Sequence, residues 1–327
     1  MSGPDYNIKM LNQSFNHHNK NDLQNQEKCL ILLDEGSKIL LGKREHLKKA
    51  LVCVLSGGHL LLEDIPGVGK TTLVHILGKI LGHKVARIQF TNDLLPSDIT
   101  GLSIFNKDTN KFEFMKGPLF NHLVLGDELN RATAKTQSAL LQSMEEGCVT
   151  VDGTTYELAT PFWVLATQNP YEQVGTSFLP ESQLDRFFMS LSLDFPDREM
   201  EKLILTQEEP SGLLKKFSEG LGNEAINDIK DEITKIHIED TLLEYVLDLL
   251  QVGRSKLLKG YSLSPRSGKN LVQASKGHAW ISGRSYVTPE DIQLIAPHVL
   301  GHRLGSSSGV KHGVSETLLL LKKVPIK

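Results

Sequence analysis

Leu60-Leu61-Leu62-Glu63-Asp64-Ile65-Pro66-Gly67-Val68-Gly69-Lys70-Thr71-Thr72 is the stretch from which the rest of the chain can be read. The apolar run ending at Leu62 reads as a buried parallel strand. The loop after it carries two glycines, and Thr71 opens a helix whose apolar positions recur at Leu73, Ile76, Leu77 and Ile80. Gly67 and Gly69 let the backbone turn tightly with no Cβ in the way, so successive N–H groups converge on an anion. Lys70 is then placed to reach the β- and γ-phosphates of a nucleoside triphosphate, and the Thr71 hydroxyl to ligate Mg²⁺ at the positive end of the helix dipole. The bare phosphate-loop pattern has glycine at position 64, where this chain has Asp64. Every phosphate-contacting element from Pro66 to Thr71 is nonetheless kept. Asp64, Pro66, Gly67, Val68, Gly69, Lys70, Thr71 and Thr72 are therefore assigned to a nucleotide cradle.

Downstream, His122-Leu123-Val124-Leu125-Gly126-Asp127-Glu128 is a short apolar strand ending in two adjacent acids. A carboxylate at the C-terminal end of a buried strand can hold a metal's water shell, and its neighbour can act as a base on water. Asp127 suits the first role and Glu128 the second. Phe162 to Thr167 reads as another buried strand, followed by Gln168-Asn169-Pro170. The Asn169 amide would then lie beside the acids, where it could orient water against a γ-phosphate.

The chain has 327 residues, 39% of them apolar, which is enough for two soluble globular domains. Its 36 basic and 39 acidic residues give a net charge of −3, so nothing draws the whole molecule to nucleic acid and such a role would need a local basic patch. Cys29, Cys53 and Cys148 are scattered without C-x-x-C spacing, which indicates neither a disulfide framework nor a zinc site and suits a reducing, cytoplasmic setting. Residues 1–26 are rich in Asn, Gln, His and Lys, and read as a flexible polar leader, with His17-His18 as a solvated pair. No apolar run reaches membrane-spanning length.

Around these motifs, helices are expected from about Glu27 to Leu41 and from Leu47 to Leu55, a flank that could line a nucleotide base. A strand is expected over Lys84–Phe90, and Pro96 discourages a continuous helix from Leu94. Two hairpins are expected, one over Gly101–Gly117 with a polar tip at Asn106–Asn110 and one turning at Asp152-Gly153, separated by a helix from Ala134 to Glu146. A short helix over Leu179–Phe187 carries Arg186 at its end. From Phe195-Pro196-Asp197 helical periodicity takes over, which gives domains at 27–195 and 196–327. In the second, Ser264-Pro265 and Thr288-Pro289 start helices, Asp291 completes a capping box, and Gly305-Ser306-Ser307-Ser308-Gly309 is a break before a last helix.

With the phosphate loop, Asp127-Glu128, Asn169, Arg186 and Arg266 in this order, the chain resembles an AAA+ ATPase. More narrowly, it resembles the MoxR family through Gly58 to Thr71, Gln89-Phe90-Thr91 with Asp93 to Asp98, Lys135 to Leu141, Ala166-Thr167-Gln168-Asn169-Pro170 and Leu184-Asp185-Arg186-Phe187. The resemblance implies an α/β fold: a P-loop AAA+ core with a parallel sheet flanked by helices and β-hairpin inserts, followed by a small all-α lid domain. It implies ATP and Mg²⁺, with Thr71 and Asp127 at the metal, Glu128 as catalytic base and Asn169 as γ-phosphate sensor. Arg186 falls where the family places a finger that reaches a neighbouring subunit's nucleotide, and Ser264-Pro265-Arg266 where it places a lid arginine on phosphate in the same subunit. It also implies a ring, commonly a hexamer, that remodels or matures client proteins, von Willebrand factor A domain proteins among them.

Two other readings stand beside it: an MCM-like nucleic-acid motor, which shares the hairpin inserts, and a nucleotide-gated scaffold with little turnover. The complete catalytic set argues against the scaffold, and the hairpins offer too few cations for a DNA translocase. A modest basic tail runs from His302 through Arg303, Lys311, Lys322, Lys323 and Lys327, against Glu316 alone.

Overall fold

The computed structural model describes residues 24–169, 179–206, 208–255, 263–305 and 309–326. Helices α1 (24–39) and α2 (Arg44–Leu55) precede strand β1 (Leu60–Glu63). Then follow α3 (Lys70–Leu81), β2 (Val85–Gln89), α4 (Pro96–Thr100), the hairpin β3 (Gly101–Asn106) and β4 (Lys111–Lys116), β5 (Leu123–Asp127) and α5 (Ala134–Glu146). A second hairpin, β6 (Cys148–Val151) and β7 (Thr154–Glu157), leads to β8 (Trp163–Gln168), α6 (Glu181–Leu184) and β9 (Met189–Leu191). Among the described residues the remainder is helical apart from one bridge between His237 and Tyr286: α7 (Arg198–Ile204), α8 (Pro210–Lys215), α9 (Gly222–Lys235), α10 (Asp240–Arg254), α11 (Pro265–Ile281), α12 (Pro289–Leu304) and α13 (Val310–Lys323).

The five long-range strands form one parallel sheet in the order β2-β5-β8-β1-β9. Apart from the edge strand β2, whose Arg87 and Gln89 are exposed, they are buried and near-continuous apolar runs, yet the pleat still sorts their side chains. Leu60 and Leu62 of β1, Leu123 and Leu125 of β5, and Trp163 and Leu165 of β8 join the core that extends into the C-terminal helices. Leu61, Val124, Val164 and Ala166 join a second core on the opposite face, under α5 and the hairpins. The chain leaves β1 for β2 on one side and returns with β9 on the other. The loop after β1 therefore opens at the place where strand order reverses, where open α/β sheets hold ligands.

No helix runs on from Leu94 through Pro96, which instead is the first residue of α4, where its missing N–H costs nothing, and the Asp98 carboxylate accepts from the Leu95 N–H at 2.8 Å. One expected boundary is corrected: residues 24–26 are not part of a polar leader. Helix α1 already includes residues 24–26, because Asn25 donates to Glu232 at 3.2 Å and Gln26 to the Trp280 carbonyl at 2.8 Å. His17-His18 and Ser306–Ser308 lie outside the described residues.

Candidate nucleotide site

Gly67 and Gly69 stand at φ +86° and +97°, in the left-handed region that a side chain resists, and Gly69 caps the N-terminus of α3. Together with Pro66, Lys70, Thr71 and Thr72 they form one wall of a cavity of ≈ 350 Å³. The facing wall is Asp127, Glu128, Thr167, Gln168 and Asn169, contributed by the ends of β5 and β8, which pair in register beside β1. A second cavity of ≈ 250 Å³ shares Gly67, Gly69 and Thr72 and is lined mainly by apolar groups, among them Ile39, Leu40, Val68, Pro196 and Ile204. The phosphate-loop cavity and an apolar recess thus adjoin on the two sides of one loop, and Ile39 and Leu40 from the flank before β1 line part of the recess.

The residues suit both a triphosphate and a hard cation. The backbone of the loop and the start of α3 offer N–H groups to an anion. The Thr71 hydroxyl and the Asp127 carboxylate are oxygen donors of the kind Mg²⁺ prefers, and among the described residues no group of three or more His, Cys, Asp or Glu builds a closed metal cage. Lys70 donates from Nζ to the carbonyls of Asp64 and, at 3.2 Å, Ile65, so it lies across the loop. Burial lowers its ammonium pKa, while Asp64, Asp127 and Glu128 pull the other way. A phosphate in the cavity would compete with those carbonyls for the same N–H donors.

The acid pair is held by residues that the motif reading missed. Thr167 donates to Asp127 Oδ1 at 2.7 Å and its hydroxyl accepts from the Glu128 N–H at 2.9 Å, so one β8 side chain fixes both acids. Arg87 Nη2 lies 2.7 Å from Asp127 Oδ2. Gln89 Nε2 donates to Glu128 Oε2 at 2.9 Å, and Arg131 Nη1 reaches the same oxygen at 2.8 Å. Glu128 itself sits at φ +58°, a left-handed conformation that turns it off the end of β5. Arg87 and Gln89 belong to β2, whose parallel pairing with β5 sets Gln89 opposite Asp127. That register was the signal available in the sequence, since alternate residues of the Lys84–Phe90 strand share a face. Asn169, predicted as sensor, lines the cavity, and its backbone carbonyl accepts from Asn130 at 3.3 Å.

Three predicted residues stand elsewhere. The Asp64 carboxylate turns away from the cradle and accepts from the Leu193 N–H, from the Asp194 N–H at 2.9 Å and from Ser192 Oγ at 3.0 Å. It is a buried brace between the loop and the end of β9, and its place in the cradle is limited to its carbonyl. Arg186 and Arg266 do not line the cavity. Arg186 Nη1 donates to the Leu141 carbonyl at 2.8 Å and lies 3.0 Å from Glu145 Oε2, while Arg266 Nη2 bonds Glu145 Oε1. Asp185 is not the partner of Arg186: it accepts from Arg303 Nε at 2.7 Å and from Ser264. The lid arginine, expected at phosphate in the same subunit, is placed by α11 at the end of α5.

A phosphate loop at the switch point of a parallel sheet, an acid pair on the neighbouring strand and a helical C-terminal unit define an AAA+ ATPase. A family model described as the ATPase family associated with various cellular activities matches residues 59–189, and an AAA lid domain matches 253–317. The chain is 35% identical to the chaperone MoxR1 of Mycobacterium tuberculosis, over 83% of this chain and 74% of that one. It is 44% identical to YeaC of Bacillus subtilis, an uncharacterised protein, over 82% and 84% of the two chains. A crystal structure of a candidate ATPase from Cytophaga hutchinsonii superposes with a TM-score of 0.85 at 36% identity, covering 96% of this chain and 99% of the other. This chain belongs to the MoxR family of AAA+ ATPases.

Proposed function

We propose that the protein hydrolyses ATP with Mg²⁺ and uses the cycle, as a ring of copies, to remodel or mature client proteins. The observation that carries the hydrolytic part is the facing of Lys70, Thr71 and the α3 N-terminus by Asp127, Glu128 and Asn169 across one cavity. Glu128 takes the proton of the attacking water, with Gln89 and Arg131 fixing its carboxylate. Asn169 orients that water, and Lys70 binds the phosphates from the loop side. Mg²⁺, when bound, supplies charge neutralisation on the phosphates. Changing Glu128→Gln keeps the size of the side chain and removes the base, so the variant should retain ATP binding in a calorimetric titration and lose steady-state turnover. Turnover at the wild-type rate would refute the role.

Arg186 and Arg266 have no place at their own cavity and share one exposed patch, which favours the reading that both act on the nucleotide of an adjoining copy. A ring, probed first as a hexamer, would bring that patch to the next cradle. The division into a leader, a nucleotide-binding domain to residue 195 and a lid from residue 196 is proposed on the same footing. One observation favours protein over nucleic acid as client. The basic tail is broken up in part by the fold, since Arg303 is buried against Asp185 and Lys311 pairs with Asp194, which leaves Lys322 and Lys323 exposed at the end of α13. The β3–β4 hairpin exposes Phe105, Phe112 and Met115 beside Lys107, Lys111 and Lys116, with Phe112 73% exposed, which offers a client apolar contact that nucleic acid backbone does not use. Von Willebrand factor A domain proteins are the clients to test first, by co-purification on the Glu128→Gln variant. No described helix is long and apolar enough to cross a membrane, and we place the activity in the cytoplasm.

A further inference from the structure

We infer that Glu145 is a positioning residue that assembles Arg186 and Arg266 into a single two-pronged anion site for the terminal phosphate of a neighbouring copy's nucleotide. The inference rests on the reading that Arg186 works across a subunit boundary.

Two guanidinium groups repel, and they come from distant parts of the chain: Arg186 follows α6, and Arg266 lies in the first turn of α11. Glu145 joins them by presenting one carboxylate oxygen to each. The hydrogen bond from Arg266 and the two positive charges hold its carboxyl below the usual range. The group of three carries a net positive charge, and the two arginine side chains remain 31% and 45% exposed. Each guanidinium has five N–H donors, so one bond to Glu145 sets direction and leaves others for an incoming phosphate.

The carboxylate is itself held on a rigid support. Helix α5 has 13 residues, about 20 Å at the usual rise. At its first turns Thr133 caps the helix, and Gln137 donates to the carbonyls of Leu129 and Ala132 at 3.2 Å, locking the helix to the turn that follows Glu128. At its far end Leu141 and Glu145 hold Arg186. One helix therefore spans from the acid that serves the chain's own nucleotide to the arginines that would serve the next.

The test is Glu145→Gln in the full-length protein, with ring formation followed by light scattering. Because Glu145 is 39% exposed, the substitution leaves no buried orphan, and thermal denaturation should confirm an intact fold. Expected are unchanged ATP affinity and a kcat lower by about 10²-fold, the scale of a misplaced catalytic group. Mixed with Glu128→Gln subunits, Glu145→Gln should recover turnover, because an intact Glu128 then meets a neighbour's intact arginine pair. Unchanged or raised kcat in assembled Glu145→Gln rings would overturn the inference, as would a fall that mixing does not repair. The control is Arg186→Ala mixed with Glu128→Gln. If that pair recovers while Glu145→Gln behaves as wild type, the action across subunits stands and only the role of Glu145 is lost. If that pair fails in rings shown to form, the reading beneath the inference is lost as well.

Discussion

Asp64 and Lys70 leave the same loop in opposite directions, and the difference predicts opposite phenotypes. The Asp64 carboxylate is buried and satisfies backbone N–H groups at the end of β9, so Asp64→Ala leaves those donors without partners. The expected loss of stability in urea denaturation is about 3 kcal/mol, from the usual cost of an orphaned buried donor. Lys70 bonds only carbonyls of its own loop and fills no core. Lys70→Ala should leave the denaturation midpoint near wild type and weaken ATP binding by about two orders of magnitude, as expected for a lost charge-assisted contact. A destabilised Lys70→Ala or a stable, non-binding Asp64→Ala would reverse the assignment. The phosphate loop was legible because its chemistry depends on residue types at fixed spacing. The direction of Asp64 was not, because its partners lie more than a hundred positions downstream, and no local pattern records which strand will close beside β1.

At the scale of elements, the lid helices are fastened by carboxylates at their N-termini, where the helix dipole favours negative charge. Thr288-Pro289 and Asp291 announced one of these in the sequence, and the structure has the Asp291 carboxylate accepting from the Thr288 N–H at 2.8 Å. Burial works against ionisation of Asp291, but Arg284 at 2.6 Å, His278 at 2.6 Å and the Thr288 N–H outweigh it and hold its carboxyl well below the usual range. A depressed folded-state pKa contributes stability above the unfolded value, about 3.9, and loses it as pH falls further. The stability difference between wild type and Asp291→Asn in urea should therefore be largest near neutral pH and shrink below about pH 4. A gap that is constant with pH would deny the charge a part.

The other fastening had no signature. Glu63 is buried at the end of β1, where burial raises its carboxyl pKa. It accepts from the Val310 N–H at 2.5 Å at the start of α13, and from Gln168 beside Asn169. The strand that carries the phosphate loop is thereby tied to the last lid helix and to the sensor strand. Read in sequence, Glu63 is only a polar residue closing an apolar run, and its partner lies 247 positions away. Glu63→Ala should raise hydrogen exchange at the first amides of α13 and leave exchange within α10 unchanged. Uniform loosening of all the lid helices would point to general destabilisation instead.

For the whole molecule, the fold sets two surfaces apart: the cavity lined by Lys70, Asp127 and Glu128, and a patch where Arg186 and Arg266 meet on Glu145 and do not line that cavity. The order of motifs made both surfaces legible as sets of residues, but not which residues share a surface. Arg266 lies beside Arg186 because the path of α11, not the spacing of Ser264-Pro265-Arg266, decides where a guanidinium ends. The consequence is that activity should belong to the assembly. Specific activity should rise with protein concentration and vanish on dilution to monomers. Arg186→Ala should lower kcat by about 10³–10⁵, the range seen when an arginine finger is removed from phosphoryl transfer. Since Arg186 and Arg266 meet on one carboxylate, they would contact one phosphate, and groups that act as a unit lose their effect together. The double variant Arg186→Ala with Arg266→Ala should thus be little slower than the worse of the two single variants. Strictly additive losses would place the arginines at different nucleotides, as would an Arg266→Ala variant whose only defect is ATP affinity at its own site. Full turnover by a dilute monomer would remove the need for a neighbour altogether.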